Sequence, residues 1–216
     1  MRTFGEATGT ILRLPSLLGA PIQAARVRIS TRQLDAILDQ VEKADLKAKE
    51  LVVGRSVAQL TTNIESTSWS VAQCLDHLAQ TTNAFLPAIS AAMAGAPRLA
   101  TNRALRTGTL TRLFIRNLEP PYRLRFKVLA PLIPRQHDFN SAWDAFAESQ
   151  VQLSKTIQSA AGLAIDQVKI ESPVYARFNY NVYGAFRMLA AHERRHLWQM
   201  EQILKALDDI QVRNSS

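Results

Sequence analysis

The sequence predicts an all-α fold, a four-helix bundle with a long basic crossover between its second and third helices. Three observations predict it. Apolar residues recur at three- and four-residue spacing in four separate segments, each of about 20 residues. Only 8 glycines are spread over 216 residues, and no stretch alternates convincingly enough to read as a strand. The four segments are joined by one long and two moderate connections, which suits helices packed side by side.

Residues 1–30 lack a sustained period and are broken by Pro15 and Pro21, so an irregular N-terminal arm is expected. Arg13 and Pro15 interrupt the apolar run a secretory signal needs. From Thr31 the pattern tightens. Leu34, Ile37, Leu38, Val41, Ala44, Ala48 and Leu51 share one face of a first helix that reaches about Val53 and is closed by Gly54. A helical turn is expected between Ser56 and Ile64, then a polar loop from Glu65 to Ser68.

Ser70 with Gln73 three residues on reads as a capping box and starts the second helix at Val71. Val71, Cys74, Leu75, Leu78, Phe85 and Ile89 form its core stripe, with His77 on the flank; Gly95 and Pro97 end it. In residues 98–139 a short helix is expected over Thr109 to Leu118, while Pro120, Pro121, Pro131 and Pro134 exclude a long one. A connector of this length is often functional, and this one is placed to cover the mouth of a site.

Asn140 is expected to cap the third helix, with Trp143, Phe146, Val151, Leu153 and Ile157 on or near its inner face and Gly162 at its end. Residues 163–181 read as a loop, and the fourth helix as Tyr183 to Leu207. The domain reading is therefore an arm over 1–30, a bundle over 31–210 and a frayed tail over 211–216.

Composition narrows the setting. No run of eighteen apolar residues spans a membrane, and a single cysteine excludes an internal disulfide framework, as in a reducing, cytoplasmic compartment. The net charge of +8 is uneven: residues 1–32 hold five Arg and one Glu, and residues 98–127 hold eight Arg or Lys and only Glu119. The rest is mildly acidic. Such segments attract anions of any kind or are simply solvated.

The chemistry concentrates at His192-Glu193-Arg194-Arg195-His196 in the fourth helix. A separation of four residues turns about 400° and rises about 6 Å, so both imidazoles leave one helix face, as two ligands for one ion do. With Leu189 at 0°, His196 falls near −20° and His192 near −60°, inside the stripe due for burial. A buried imidazole needs a partner, whether a metal or a core hydrogen bond, and spacing alone leaves both open. His77 is placed to join them from the second helix, leaving coordination positions open for water. His137, in the connector, reads as a loop residue.

Taken literally, the motif also matches the zinc-protease pattern, with Glu193 as base. Only twenty residues follow His196, none a histidine, and no strand offers a substrate edge, so that reading is disfavoured. Glu201 is one turn on and reads as a surface carboxylate. Cys74, one turn before His77, reads as a small core residue rather than a fourth ligand. Glu193 itself reads as paired with an arginine such as Arg187 or Arg123, or as orienting a ligand. Trp198 points about 180° from the stripe, to be covered by the connector or by a partner subunit.

Two motifs carry a family resemblance. Trp69-Ser70-Val71-Ala72-Gln73 followed by Leu75-Asp76-His77-Leu78 resembles the opening of the second helix of the DinB-like (DinB/YfiT-like metalloenzyme) superfamily. Met188-Leu189-Ala190-Ala191-His192 through His196-Leu197-Trp198-Gln199 resembles its closing helix. The resemblance covers roughly residues 31–210. It implies a four-helix bundle, often dimeric, with a nickel- or zinc-type divalent ion on His77, His192 and His196, and in some relatives thiol-dependent transfer or isomerisation using a low-molecular-weight thiol.

The expected function is thus a metal-dependent enzyme of thiol-transferase or hydrolase type acting on a small anionic substrate, which the nearby arginines would hold. Two alternatives stand beside it: a bundle with a purely structural metal, and, ranked last, a basic nucleic-acid-binding module, for which residues 98–127 form no recognition helix or stacking platform.

Overall fold

A computed structural model describes residues 32–99, 103–122, 128–135, 138–174 and 178–215. The expected N-terminal arm, His137, Arg123 and the last residue lie outside them. The fold is all-α. Its helices are α1 (Arg32–Val52), α2 (Val57–Thr61), α3 (Val71–Ala94), α4 (Thr109–Leu118), α5 (Phe139–Ser159) and α6 (Val182–Ser215). Four are long, and α3 packs on α5 and α6 while α1 packs on the same two from the other side.

The local rules hold for most of these elements. Leu34, Ile37, Val41, Ala44 and Ala48 are the buried face of α1, and Gly54 follows it with φ +74°, a conformation only glycine adopts cheaply. Ser70 and Gln73 close the capping box of α3 through both reciprocal hydrogen bonds, and a second box, Ser56 with Gln59, starts α2. Pro87 lies inside α3 but on its exposed side.

Four expectations are corrected. Asp138 rather than Asn140 caps α5, its carboxylate accepting from the Ser141 N–H at 2.8 Å. Both residue types suit a cap; Phe139 decides, because it stacks on Trp143 from inside the helix. On α5, Val151 is 46% exposed, while Ser149 and Gln150 are buried. Hydropathy misplaces that face because the interior it meets is polar. The fourth helix does not stop at Leu207. No glycine or proline occurs after Gly184, the Arg213 side chain bonds back to Asp209 O, and Arg55 pairs with Asp208, so α6 runs on to Ser215.

The fourth correction concerns strands. Residues 163–181 contain two, β1 (Lys169–Glu171) and β2 (Asn179–Asn181), paired antiparallel with Ile170 opposite Tyr180. Each is three residues long with one buried side chain, too short for alternation to register in the sequence.

The interior is two apolar clusters with a polar layer between them. One gathers Leu34, Ile37, Val41, Phe85, Leu153, Phe186 and Leu189; the other gathers Ala44, Leu75, Leu78, Phe146, Leu197 and Met200. On α5 and α6 the change from one cluster to the other falls at the buried Gln150 and at His192, Glu193 and His196. On α3 it falls between Leu78 and Phe85, beside His77 and Thr81. Burying so many polar groups is costly unless they are satisfied, so this layer is where function is to be sought.

The crossover is pinned to the bundle by ion pairs. Arg194 on α6 binds both oxygens of Glu119, and Arg103 holds Asp166 in a two-point pair at 2.7 and 2.8 Å. Asp166 also accepts the Arg106 backbone N–H, and the Arg103 guanidinium holds its carboxyl below the usual range. A depressed folded pKa contributes stability above the unfolded value, near 4, that is lost as pH falls through the folded value. Asp166→Asn is therefore expected to lower the melting temperature by several degrees at pH 7, and by less at pH 3, in parallel thermal melts.

Candidate metal centre

His77 sits in the second turn of α3, and His192 and His196 are one turn apart on α6. Their ligand atoms all lie within 4.8 Å of one another. His77 Nε2 is 3.2 Å and His196 Nε2 3.1 Å from His192 Nε2. His77, expected on the flank of its helix, is 3% exposed, because the crossover folds over that flank.

The outer nitrogens are held by partners. His77 Nδ1–H donates to the Leu132 carbonyl at 2.7 Å, and His196 Nδ1–H donates to Gln199 Oε1 at 3.0 Å. Each bond places the ring proton on Nδ1 and leaves the Nε2 lone pair facing the centre, the tautomer a metal ligand uses. Burial holds His77 below its ordinary pKa, against the pull of Leu132 and Asp76 in the other direction. Burial, then the neighbouring imidazoles and Arg195, push His192 and His196 well down. Lowered pKa values favour the neutral ring at all three, the form that binds metal.

The two separations from His192 suit a single ion. An ion about 2.0–2.1 Å from each nitrogen would set neighbouring nitrogens about 2.9–3.4 Å apart, according to the angle at the ion. Both separations from His192 Nε2 fall in that interval, the three ligand nitrogens all lie within 4.8 Å of one another, and the three histidines are compatible with a metal site.

Around the cluster, Trp69 stacks on His196 at 5.7 Å and tilts over His77 at 4.8 Å. A cavity of about 800 Å³ opens above the histidines, roofed in part by Leu129, Leu132 and Ile133 of the crossover. The crossover does cover the site, and Leu132 reaches a histidine through its backbone. Trp198 packs edge-on against Tyr122 at 4.9 Å, so the connector covers it. The Arg195 guanidinium lies over the Tyr122 ring, 3.5 Å from its centroid, and both residues line the cavity.

Other sequence candidates fall elsewhere. Glu193 is 1% exposed and turns away from the cavity to accept from Gln150 Nε2 at 2.8 Å; Arg187 instead bonds Thr107. It is thus no base poised beside the histidines, which removes the protease geometry. Glu201 is a surface residue paired with Lys47, and Cys74 lies in the apolar core with its thiol pushed up by burial. Sequence reasoning missed Leu132, Thr81 and Arg195 as parts of the site. A backbone carbonyl leaves no trace in composition, whereas Gln199, three residues after His196, was within reach of helix spacing.

The profile of the DinB superfamily matches residues 26–200. The chain belongs to that superfamily. Searches of curated proteins and of solved structures return no match. In this DinB protein both resembling motifs fall inside the matched range, and they bring the three histidines together from α3 and α6.

Proposed function

We propose that this DinB protein is a metal-dependent enzyme in which Nε2 of His77, His192 and His196 hold one divalent ion, nickel or zinc, and a small anionic substrate enters the cavity above them. The observation that carries the reading is the convergence of three imidazoles, two with their outer nitrogens held by acceptors, at the floor of a cavity wide enough for an organic molecule. A bound ion of this kind supplies Lewis acidity, lowering the pKa of a water or thiol placed beside it.

The chain's own residues supply the rest. Leu132 and Gln199 hold two rings in register, Trp69 shields the centre from bulk water, and Arg195 lends positive charge to the cavity. Thiol transfer and hydrolysis both suit this arrangement, with a low-molecular-weight thiol as the cosubstrate of the first. The reading also includes a homodimer in the cytoplasm, which sedimentation and fractionation measure.

Metal analysis of protein purified without chelator tests it. About one divalent ion per chain is expected, removable by chelation and restored by nickel or zinc. A protein carrying no ion and taking none up would end this reading.

A further inference from the structure

The cavity is far larger than an ion and its water require. Its volume is about 800 Å³, within the roughly 300–1,000 Å³ of pockets that enclose small organic molecules. Its lining is graded. Along α3 the wall reads His77, Thr81 and Phe85, one turn apart, and along α6 it reads His196, His192 and Met188. The helices run antiparallel here, since His77 meets His192 while Phe85 meets Tyr180 at 5.9 Å. Beyond the imidazoles the cavity thus turns largely apolar, with Phe114 of α4 at the same end through Phe178 and Tyr180.

Two of the polar groups on the lining bear on what it would hold, Thr81 and Arg195. Thr81 is 4% exposed, yet its Oγ1 has no hydrogen-bond partner. Threonines inside helices commonly bond back to the carbonyl four residues earlier; this one does not, and its residue lines the cavity. A buried hydroxyl without a partner is costly, and a ligand atom would relieve it. Arg195, 7% exposed, is the buried charge among the described lining residues; Glu65, the other charged one, is exposed at the edge. Arg195 stacks on the Tyr122 ring and donates to Asn117 O at 3.4 Å, and it adds positive charge to the lining.

We propose that the cavity takes an amphiphilic carboxylate. The head accepts a hydrogen bond from the Thr81 hydroxyl beside the histidines, within the positive field of Arg195. An alkyl or arylalkyl body of about eight carbons lies along Phe85, Phe114 and Met188. This rests on the reading of the cavity as the substrate site and names the class of substrate. Thr81 is then a specificity-determining residue.

The test uses the full chain treated with chelator, so that its outcome does not depend on metal binding. Acetate, hexanoate, octanoate and octanol are titrated in turn while the fluorescence of Trp69 and Trp198, both on the cavity wall, is followed. Saturable octanoate binding is expected, tightening about fourfold per methylene from hexanoate. Octanol should bind at least about tenfold more weakly. Thr81→Val should weaken octanoate severalfold and octanol by less, whereas Thr81→Ser should bind as the native chain does. Phe85→Trp, filling the apolar end, should cost octanoate more than hexanoate. Equal affinity for octanol and octanoate, no dependence on chain length, indifference to Thr81→Val, or no saturable binding would each overturn the proposal. Octanoate binding by a protein that holds no metal would leave it standing and remove only the metal.

Discussion

Replacing His77 by alanine is expected to reduce bound divalent metal from about one ion per chain to near none, although His192 and His196 remain in place. Two imidazoles from one helix leave an ion half-coordinated, and removing even a partner of a ligand typically costs 10–100-fold in affinity, so loss of a ligand should cost at least about 100-fold. His77 also brings the crossover into the site, because its Nδ1–H is the donor to Leu132 O. The variant should therefore lose about 1–3 kcal/mol of stability in addition, from an orphaned carbonyl and a small void. Metal analysis beside a thermal melt separates the two effects. Full metal content in folded His77→Ala protein would remove that residue from the centre.

Glu193→Gln should stabilise the chelator-treated protein at alkaline pH while changing little near pH 4. Burial pushes the Glu193 carboxyl up to about 8, against the Gln150 hydrogen bond and the Arg194 charge, with Asp45 adding to the upward push. An independent feature agrees: Glu193 Oε2 and Gln150 Oε1 are both buried acceptors without a donor, and a proton on the carboxyl would supply one. A folded pKa raised above the unfolded value, near 4.3, contributes stability that is complete below that value and lost as pH rises through about 8. The native chain should thus lose several kcal/mol between pH 4 and 8 through this group, since each pH unit in that window is worth about 1.4 kcal/mol. Glutamine is neutral throughout and has its own N–H to donate. Denaturant midpoints measured across that range should fall more steeply with pH for the native chain than for the variant; parallel curves would show Glu193 to be ionised in the fold.

These expectations rest on two kinds of information. Helix periodicity was enough to place α1, α3, α5 and α6, because each buries a face and burial leaves a repeat of three and four. The capping box at Ser70 located the start of α3 to the residue, since both its bonds are local. The same locality made His192 and His196 legible as a pair. Where a boundary depends on a distant partner, the reading slipped: the cap of α5 turns on Phe139 meeting Trp143, and the last turns of α6 are held in part by Arg55.

By itself, then, the sequence determined the helical class, the four long segments and the two-histidine face, all of which follow from contacts within one turn. Only the tertiary structure decided that His77 is buried against that face, that Leu132 O sets its tautomer, that Glu193 faces Gln150 rather than the cavity, and that Thr81 and Arg195 line it. Each of these joins residues more than forty positions apart or depends on a neighbouring element's backbone. No periodicity along one helix records what a second helix brings against it.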